Sequence, residues 1–195
     1  MRRWLKILLS IFFIGACATP ETKIYSLYVP MERGTHISLK GEASLAIWIH
    51  SPRYLTQPYI VYRKSPYQLE ISRYSKWDAS PDVKVREVFK QALSSARLFQ
   101  EVRVVHAIPQ GFYSLKINLK KFERSDEGND SFGEVVFDVS FISPQGKELY
   151  QDAISRRLKL DDRTFLTLAK GLSRVLKEGV EEVRNHIDRT LKTNP

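Results

Sequence analysis

Few side chains in this sequence are spaced for chemistry. Cys17 is the single cysteine of 195 residues, so no intramolecular disulfide and no Cys-x-x-Cys zinc or redox pair can form. His36, His50, His106 and His186 are far apart, without His-x-x-x-His or His-Glu-x-x-His spacing, and each reads as a surface or strand-edge histidine. Asp161-Asp162 precedes an apolar run of helical period, which makes it a pair of capping and first-turn acids before it is an acid/base device. Glu181-Glu182 reads as a solvated helix face. The nine glycines stand singly, and there is no Gly-x-Ser-x-Gly, Gly-x-Gly-x-x-Gly or Walker loop to seat a nucleotide or a nucleophile. These patterns argue against an enzyme, and no cofactor or metal is expected.

What Cys17 can do follows from the residues before it. Met1 to Lys6 is a short basic head, and Ile7 to Ile14 is an apolar run of eight residues. A bilayer span needs about 20 such residues, so this run has the proportions of a signal-peptide core. Ile14-Gly15-Ala16-Cys17 then resembles the lipobox of bacterial lipoproteins, in which the thiol is the nucleophile that takes the diacylglyceryl group. That resemblance predicts a signal peptide over residues 1–16, a lipidated Cys17 at the mature N-terminus, and a short tether over 17–23. Ala18 stands where lipoproteins kept in the inner membrane commonly carry Asp, which points to the outer membrane. Removing Arg2, Arg3 and Lys6 lowers the formal charge from +9 to about +6. In an exported protein that excess speaks against nucleic acid and for anionic headgroups or an acidic protein face.

A second group is defined by composition. His50 to Arg63 places Pro52, Pro58, Tyr54, Tyr59, Tyr62, Arg53 and Arg63 between two strand-like runs. Tyr and Arg are enriched at binding hot spots, and prolines fix the loop that would present them.

The elements that must position these residues are legible in the periodicity. Tyr25, Leu27 and Val29 alternate with polar or aromatic neighbours, and Leu45 to Ile49 has the composition of a buried strand. Tyr59 to Arg63 and Gln68 to Ser72 read as a hairpin around Lys64-Ser65-Pro66, and Val102 to Ala107 as another strand. Tyr113, Leu115, Ile117 and Leu119, then Val135, Phe137, Val139 and Phe141, mark two longer strands joined by a polar turn over 125–130. Pro144 to Lys147 reverses the chain toward a strand at 148–160. The period changes to 3.6 after Ser80-Pro81, over a helix ending near Arg97, and again from about Thr164 to Leu191. The second helix would be roughly 40 Å long, so its end is expected to project beyond a small sheet. The expected fold is a single α+β domain over residues 24–192, a mostly antiparallel sheet of about six to eight strands packed against two helices, the C-terminal one long.

Arg53-Tyr54-Leu55-Thr56-Gln57-Pro58-Tyr59-Ile60-Val61-Tyr62-Arg63 resembles the Pro-x-Tyr-Leu-x-x-Pro-x-Ile-Val-x-Arg signature of the ABC-type transport auxiliary lipoproteins, the family of paraquat-inducible protein C. Tyr25 and Leu27, Trp77, Phe122-Glu123 and the terminal amphipathic helix agree with it in order. The resemblance implies an outer-membrane lipoprotein facing the periplasm, with no catalytic site of its own. It would dock the conduit of an ABC transporter whose MCE-domain subunit moves phospholipid or other apolar molecules, and some such proteins form rings, so a homo-oligomer is an expectation of the same origin. The expected partner interface is Arg53, Tyr54, Leu55, Pro58, Tyr59, Tyr62, Arg63 and Trp77. The alternative reading is an outer-membrane assembly or envelope-stabilising lipoprotein with no ABC partner. Replacement of Cys17 by Ala is expected to abolish outer-membrane fractionation; a variant still fixed to that membrane would remove the lipid anchor from the argument.

Overall fold

The computed structural model describes residues 20–31 and 43–193. The expected signal peptide, the lipobox with Cys17, and His36 lie outside the described residues. The elements run β1 (Lys23–Tyr25), β2 (Ser44–His50), a 3-10 turn (Arg53–Leu55), β3 (Tyr59–Ser65), β4 (Gln68–Trp77), α1 (Pro81–Ser95), β5 (Glu101–Val104), β6 (Tyr113–Glu127), β7 (Asp130–Ile142), β8 (Glu148–Lys159) and α2 (Phe165–Thr193). Among the described residues this is the expected α+β fold, eight strands in one sheet with two helices.

β6 is the central strand. Along one edge it pairs antiparallel with β7 from Ser114 to Glu127, and β7 pairs antiparallel with β8. This is the expected meander, but its strands are longer than the polar turn suggested. Ser125, Asp126 and Glu127 belong to β6, and only Gly128-Asn129 turns the chain. Gly128 has φ +59°, the left-handed conformation that a two-residue hairpin favours glycine for. The polar residues remain in the strand because they pair across it: Ser131 donates to Asp126 Oδ1 at 2.6 Å, and Arg124 Nε lies 2.9 Å from the same carboxylate.

The other edge of β6 is shared. β2 runs parallel to Tyr113–Asn118 and β3 runs parallel to Arg124–Ser125. β4 returns antiparallel on β3, β1 adds parallel to the end of β4 at Ser75–Trp77, and β5 adds parallel to β2. The antiparallel ladders carry most of the sheet, while the short outer pairings are parallel.

The buried faces follow the periodicity. Val135, Phe137, Val139 and Phe141 are sealed on β7, as are Leu115, Ile117 and Leu119 on β6. α1 buries Val85, Val88, Phe89, Ala92 and Leu93, and Phe89 meets Phe137 edge-on with centroids 5.6 Å apart. α2 buries Leu168, Leu172, Val175, Leu176, Val180, Val183 and Ile187. Its end does not project: Ile187 is fully buried and Leu191 is only 9% exposed. The strands explain the difference. β8, with twelve residues at about 3.3 Å each, is about as long as a helix of twenty-nine at 1.5 Å, so α2 lies along the sheet for its whole length.

The start of α2 is held by Asp162, one of the two acids expected there, and by Thr164. Thr164 Oγ1 accepts the Thr167 backbone N–H at 3.2 Å, and Asp162 Oδ1 accepts the Thr164 N–H at 2.7 Å. The Thr164 hydroxyl first, and then the Thr164 N–H, hold the Asp162 carboxyl below its usual range by hydrogen bonding to it. α2 approaches β7 and β8 closely because Gly179 faces them. A Cβ there would lie 3.2 Å from both Phe137 Cζ and Ile154 Cγ2. Gly179→Val is therefore expected to cost about 1–3 kcal/mol, read as a lower urea midpoint at unchanged slope.

Candidate functional site

β2 and β3 are two halves of one interrupted edge. Between them, over residues 51–58, the chain leaves the sheet, and the proline-tyrosine-arginine segment is that interruption. Pro52 sits in polyproline-like geometry, φ −59° and ψ 150°, and its carbonyl accepts the Leu55 N–H at 2.9 Å to close the 3-10 turn. Thr56 fastens the turn through its hydroxyl, which donates to the Arg53 carbonyl at 2.9 Å. Leu55 is fully buried and plugs the turn into the core. The Pro58 carbonyl then accepts the Trp77 N–H at 2.9 Å, which ties the entry into β3 to the end of β4.

The interruption leaves part of β6 without a strand on that edge, and side chains of the segment occupy the gap. The Tyr54 hydroxyl donates to the Lys120 carbonyl at 3.1 Å, at the point where the β6–β7 register is irregular between Leu119 and Lys121. Arg63 Nε donates to Glu123 Oε1 at 2.6 Å. Glu123 is fully buried, and among the described residues its Oε2 has no hydrogen-bond partner and Arg63 supplies its ion pair. Burial, and then the negative charge of Glu123, push the Tyr54 phenol above its ordinary value, so it stays protonated and able to donate. The hydrogen bond that Arg63 donates to Glu123 likewise raises Arg63.

The neighbours of Arg63 and Glu123 along their strands, Tyr62 and Arg124, point to the opposite face. There Arg124 lies 4.8 Å from the Tyr62 ring centroid and 5.3 Å from that of Phe165, the first residue of α2. Its guanidinium also donates to the Arg163 carbonyl at 2.6 Å. Tyr62 thus helps clamp the start of α2; its phenol is raised first by its bond to Glu70 and then by burial. Trp77 is only 4% exposed and meets Phe122 edge-on at 5.8 Å.

The eight residues expected at a partner interface therefore divide. Leu55 and Trp77 are buried and support the segment from within. Arg63, with Glu123, forms its internal ion pair, Tyr62 braces α2, and Pro58 supplies a carbonyl to β4. Arg53, Tyr54 and Tyr59 line an open depression of about 590 Å3 together with Gln57 and Ile71. Ile71 was not among the expected residues; its 51% exposure is decided by the fold, and the sequence shows only an isoleucine in a strand-like run. Among the described residues the histidines do not converge: His50 stacks on Trp48, and His186 stacks on Tyr150 at 4.8 Å between centroids. Among the described residues no three His, Cys, Asp or Glu side chains are grouped to hold a metal ion.

Residues 25–184 match the family model described as the ABC-type transport auxiliary lipoprotein component. Among solved structures, protein XCC0632 from Xanthomonas campestris, of family model DUF330, is similar with 13% identity and a TM-score of 0.76, over 88% of this chain and 98% of that one. The crystal structure of an uncharacterised protein is similar with 18% identity and a TM-score of 0.66, over 86% of this chain and 99% of that one. At these identities the two structures speak for the fold alone. No curated protein matches the chain.

Arg63→Ala would leave a carboxylate buried without its partner, and is expected to cost about 3 kcal/mol by chemical denaturation. Combining Arg63→Leu with Glu123→Leu is expected to recover most of that loss; a double variant as unstable as the single would show that the ion pair is not what holds the segment.

Proposed function

The chain belongs to the ABC-type transport auxiliary lipoprotein family, and on that premise we propose that it is an outer-membrane lipoprotein that docks the conduit of an MCE-type transport system. Cys17 carries the lipid, the domain faces the periplasm, and the cargo passing the partner is phospholipid or another apolar molecule. The observation that carries the docking role is the way the signature segment is built. Leu55, Arg63, Glu123 and Trp77 hold a proline-framed turn rigidly against the sheet, and Arg53, Tyr54, Gln57, Tyr59 and Ile71 surround the depression beside it. A pre-ordered site of tyrosine, arginine and an exposed isoleucine loses little side-chain freedom on binding, which favours affinity from a small area.

The family supports the transport role, because an auxiliary component of a transporter needs a surface for its partners and not a reaction centre. The residue types around the depression suit a protein partner better than a soluble metabolite, since the pocket is open and its polar groups do not converge on one point. The basic charge and the lipobox favour a location against an anionic envelope surface.

Two exposed substitutions test the reading. Arg53→Glu combined with Ile71→Ala is expected to lower co-purification of the MCE subunit at least tenfold while leaving the thermal midpoint within about 2 °C of the parent. Unchanged recovery of that subunit would move the interface elsewhere. Failure to recover any permease, ATPase or MCE subunit with the parent protein would favour an envelope-stabilising role without an ABC partner.

A further inference from the structure

A different surface lies where the chain leaves β1. The segment after Tyr25 crosses α2 near its start: the Tyr28 N–H donates to Ser173 Oγ at 3.1 Å, and that hydroxyl donates to the Ala169 carbonyl at 2.7 Å. A groove of about 500 Å3 opens between the two, with Tyr28, Pro30 and Leu166 on its apolar part and Lys170, Arg174 and Lys177 in a row along the helix. Tyr28 is 81% exposed and Leu166 56%, and Ile24 on β1 adds a third exposed apolar side chain at 69%. Lys170 makes no contact ion pair among the described residues, though its charge acts on Asp162, while Arg174 and Lys177 pair with exposed or half-buried acids of their own helix, Glu178 and Glu181.

Apolar side chains held in water beside a row of cations match the headgroup layer of a bilayer, where the first group sinks toward acyl chains and the second meets phosphates. The position of the groove selects that occupant over others. Six residues separate Cys17 from the end of Lys23, a reach of about 20 Å, so a lipid on Cys17 keeps β1 next to the membrane. The groove adjoins β1, since the Tyr25 ring packs 6.2 Å from Phe165. By contrast Tyr67, 98% exposed, sits at the β3–β4 turn, about 25 Å along β4 from the residues that pair with β1.

We propose that Ile24, Tyr28 and Leu166, with Lys170, Arg174 and Lys177, form a face that rests on the anionic phospholipid surface of the membrane holding the anchor. The domain is thereby oriented, with the β3–β4 turn directed away from the bilayer. This inference rests on the lipid-anchor reading of Cys17.

Thiol chemistry provides the test, because a lipidated Cys17 leaves no other free thiol. Leu166→Cys and, as a control, Tyr67→Cys are labelled with an environment-sensitive fluorophore in the full processed protein, which is then reconstituted in vesicles of phosphatidylcholine with phosphatidylglycerol. The label at 166 is expected to brighten and shift to the blue, and that at 67 to stay unchanged. Neutral vesicles, or Lys170→Gln, Arg174→Gln and Lys177→Gln together, should reduce the response at least about fivefold, the preference one basic residue contributes near such a surface. A lipidated protein whose label at 166 does not respond overturns the proposal and leaves the groove to residues 32–42 or to a second copy. The mass of the mature N-terminus reports on the anchor separately. If the chain is unlipidated, Cys17→Ala keeps position 166 the sole thiol: a label there that still answers to added anionic vesicles would retain the surface and remove the anchor, and one that stays silent would remove both.

Discussion

β6 has to be hydrogen-bonded along both edges, and the segment that completes its second edge is broken in the middle. A strand of fifteen residues in the centre of a sheet exposes N–H and C=O groups on two sides, and a buried one left unpaired costs about as much as a lost hydrogen bond. β7 satisfies one side almost continuously. The other side is met first by β2 and later by β3, and between them by the Tyr54 hydroxyl on the Lys120 carbonyl. The turn that would otherwise be a defect is therefore made part of the sheet, with Leu55 filling the space beneath it and Arg63 neutralising the carboxylate of Glu123.

That arrangement links the family signature to function through geometry. The residues of the signature serve two purposes at once, and burial decides which. Those pointing inward remove the freedom of the loop; those pointing outward are presented by a frame that has already lost it. A loop of the same composition without Arg63–Glu123 and the Leu55 plug would present the same tyrosines with greater entropy to lose on binding. Long strands set the second condition. Because β6, β7 and β8 extend as far as α2, the helix is buried from Leu168 to Leu191, and its solvent side, crossed near the start by the segment after β1, carries Lys170, Arg174 and Lys177.

Much of the fold was legible because periodicity is local. The alternation of Val135, Phe137, Val139 and Phe141 needed no partner to be recognised, and neither did the heptad-like spacing of Leu168, Leu172, Val175 and Leu176, nor Thr164 before it. The extent of β6 was less legible, since Ser125-Asp126-Glu127 has turn composition and becomes strand only because Arg124 and Ser131 satisfy Asp126. The course of α2 was misjudged for the same reason: its length is visible in the sequence, but whether its end projects depends on strand lengths set elsewhere. At the candidate site, the segment of interest stood out by composition and by resemblance, while the separation of Leu55, Trp77 and Arg63 from Arg53 and Tyr59 did not.

The sequence alone determined where both helices and most of the strands lie, which of their faces are apolar, that no intramolecular disulfide can support the fold, and that residues 53–63 resemble a family signature. Only the tertiary structure decided that β2 and β3 share one edge of β6, that Arg63 meets a carboxylate sixty residues away, and which tyrosines reach the surface. Hydrophobic period is a property of neighbours in the chain. The register of a sheet joins residues far apart in it, and a one-residue change in that register would turn each side chain to the other face.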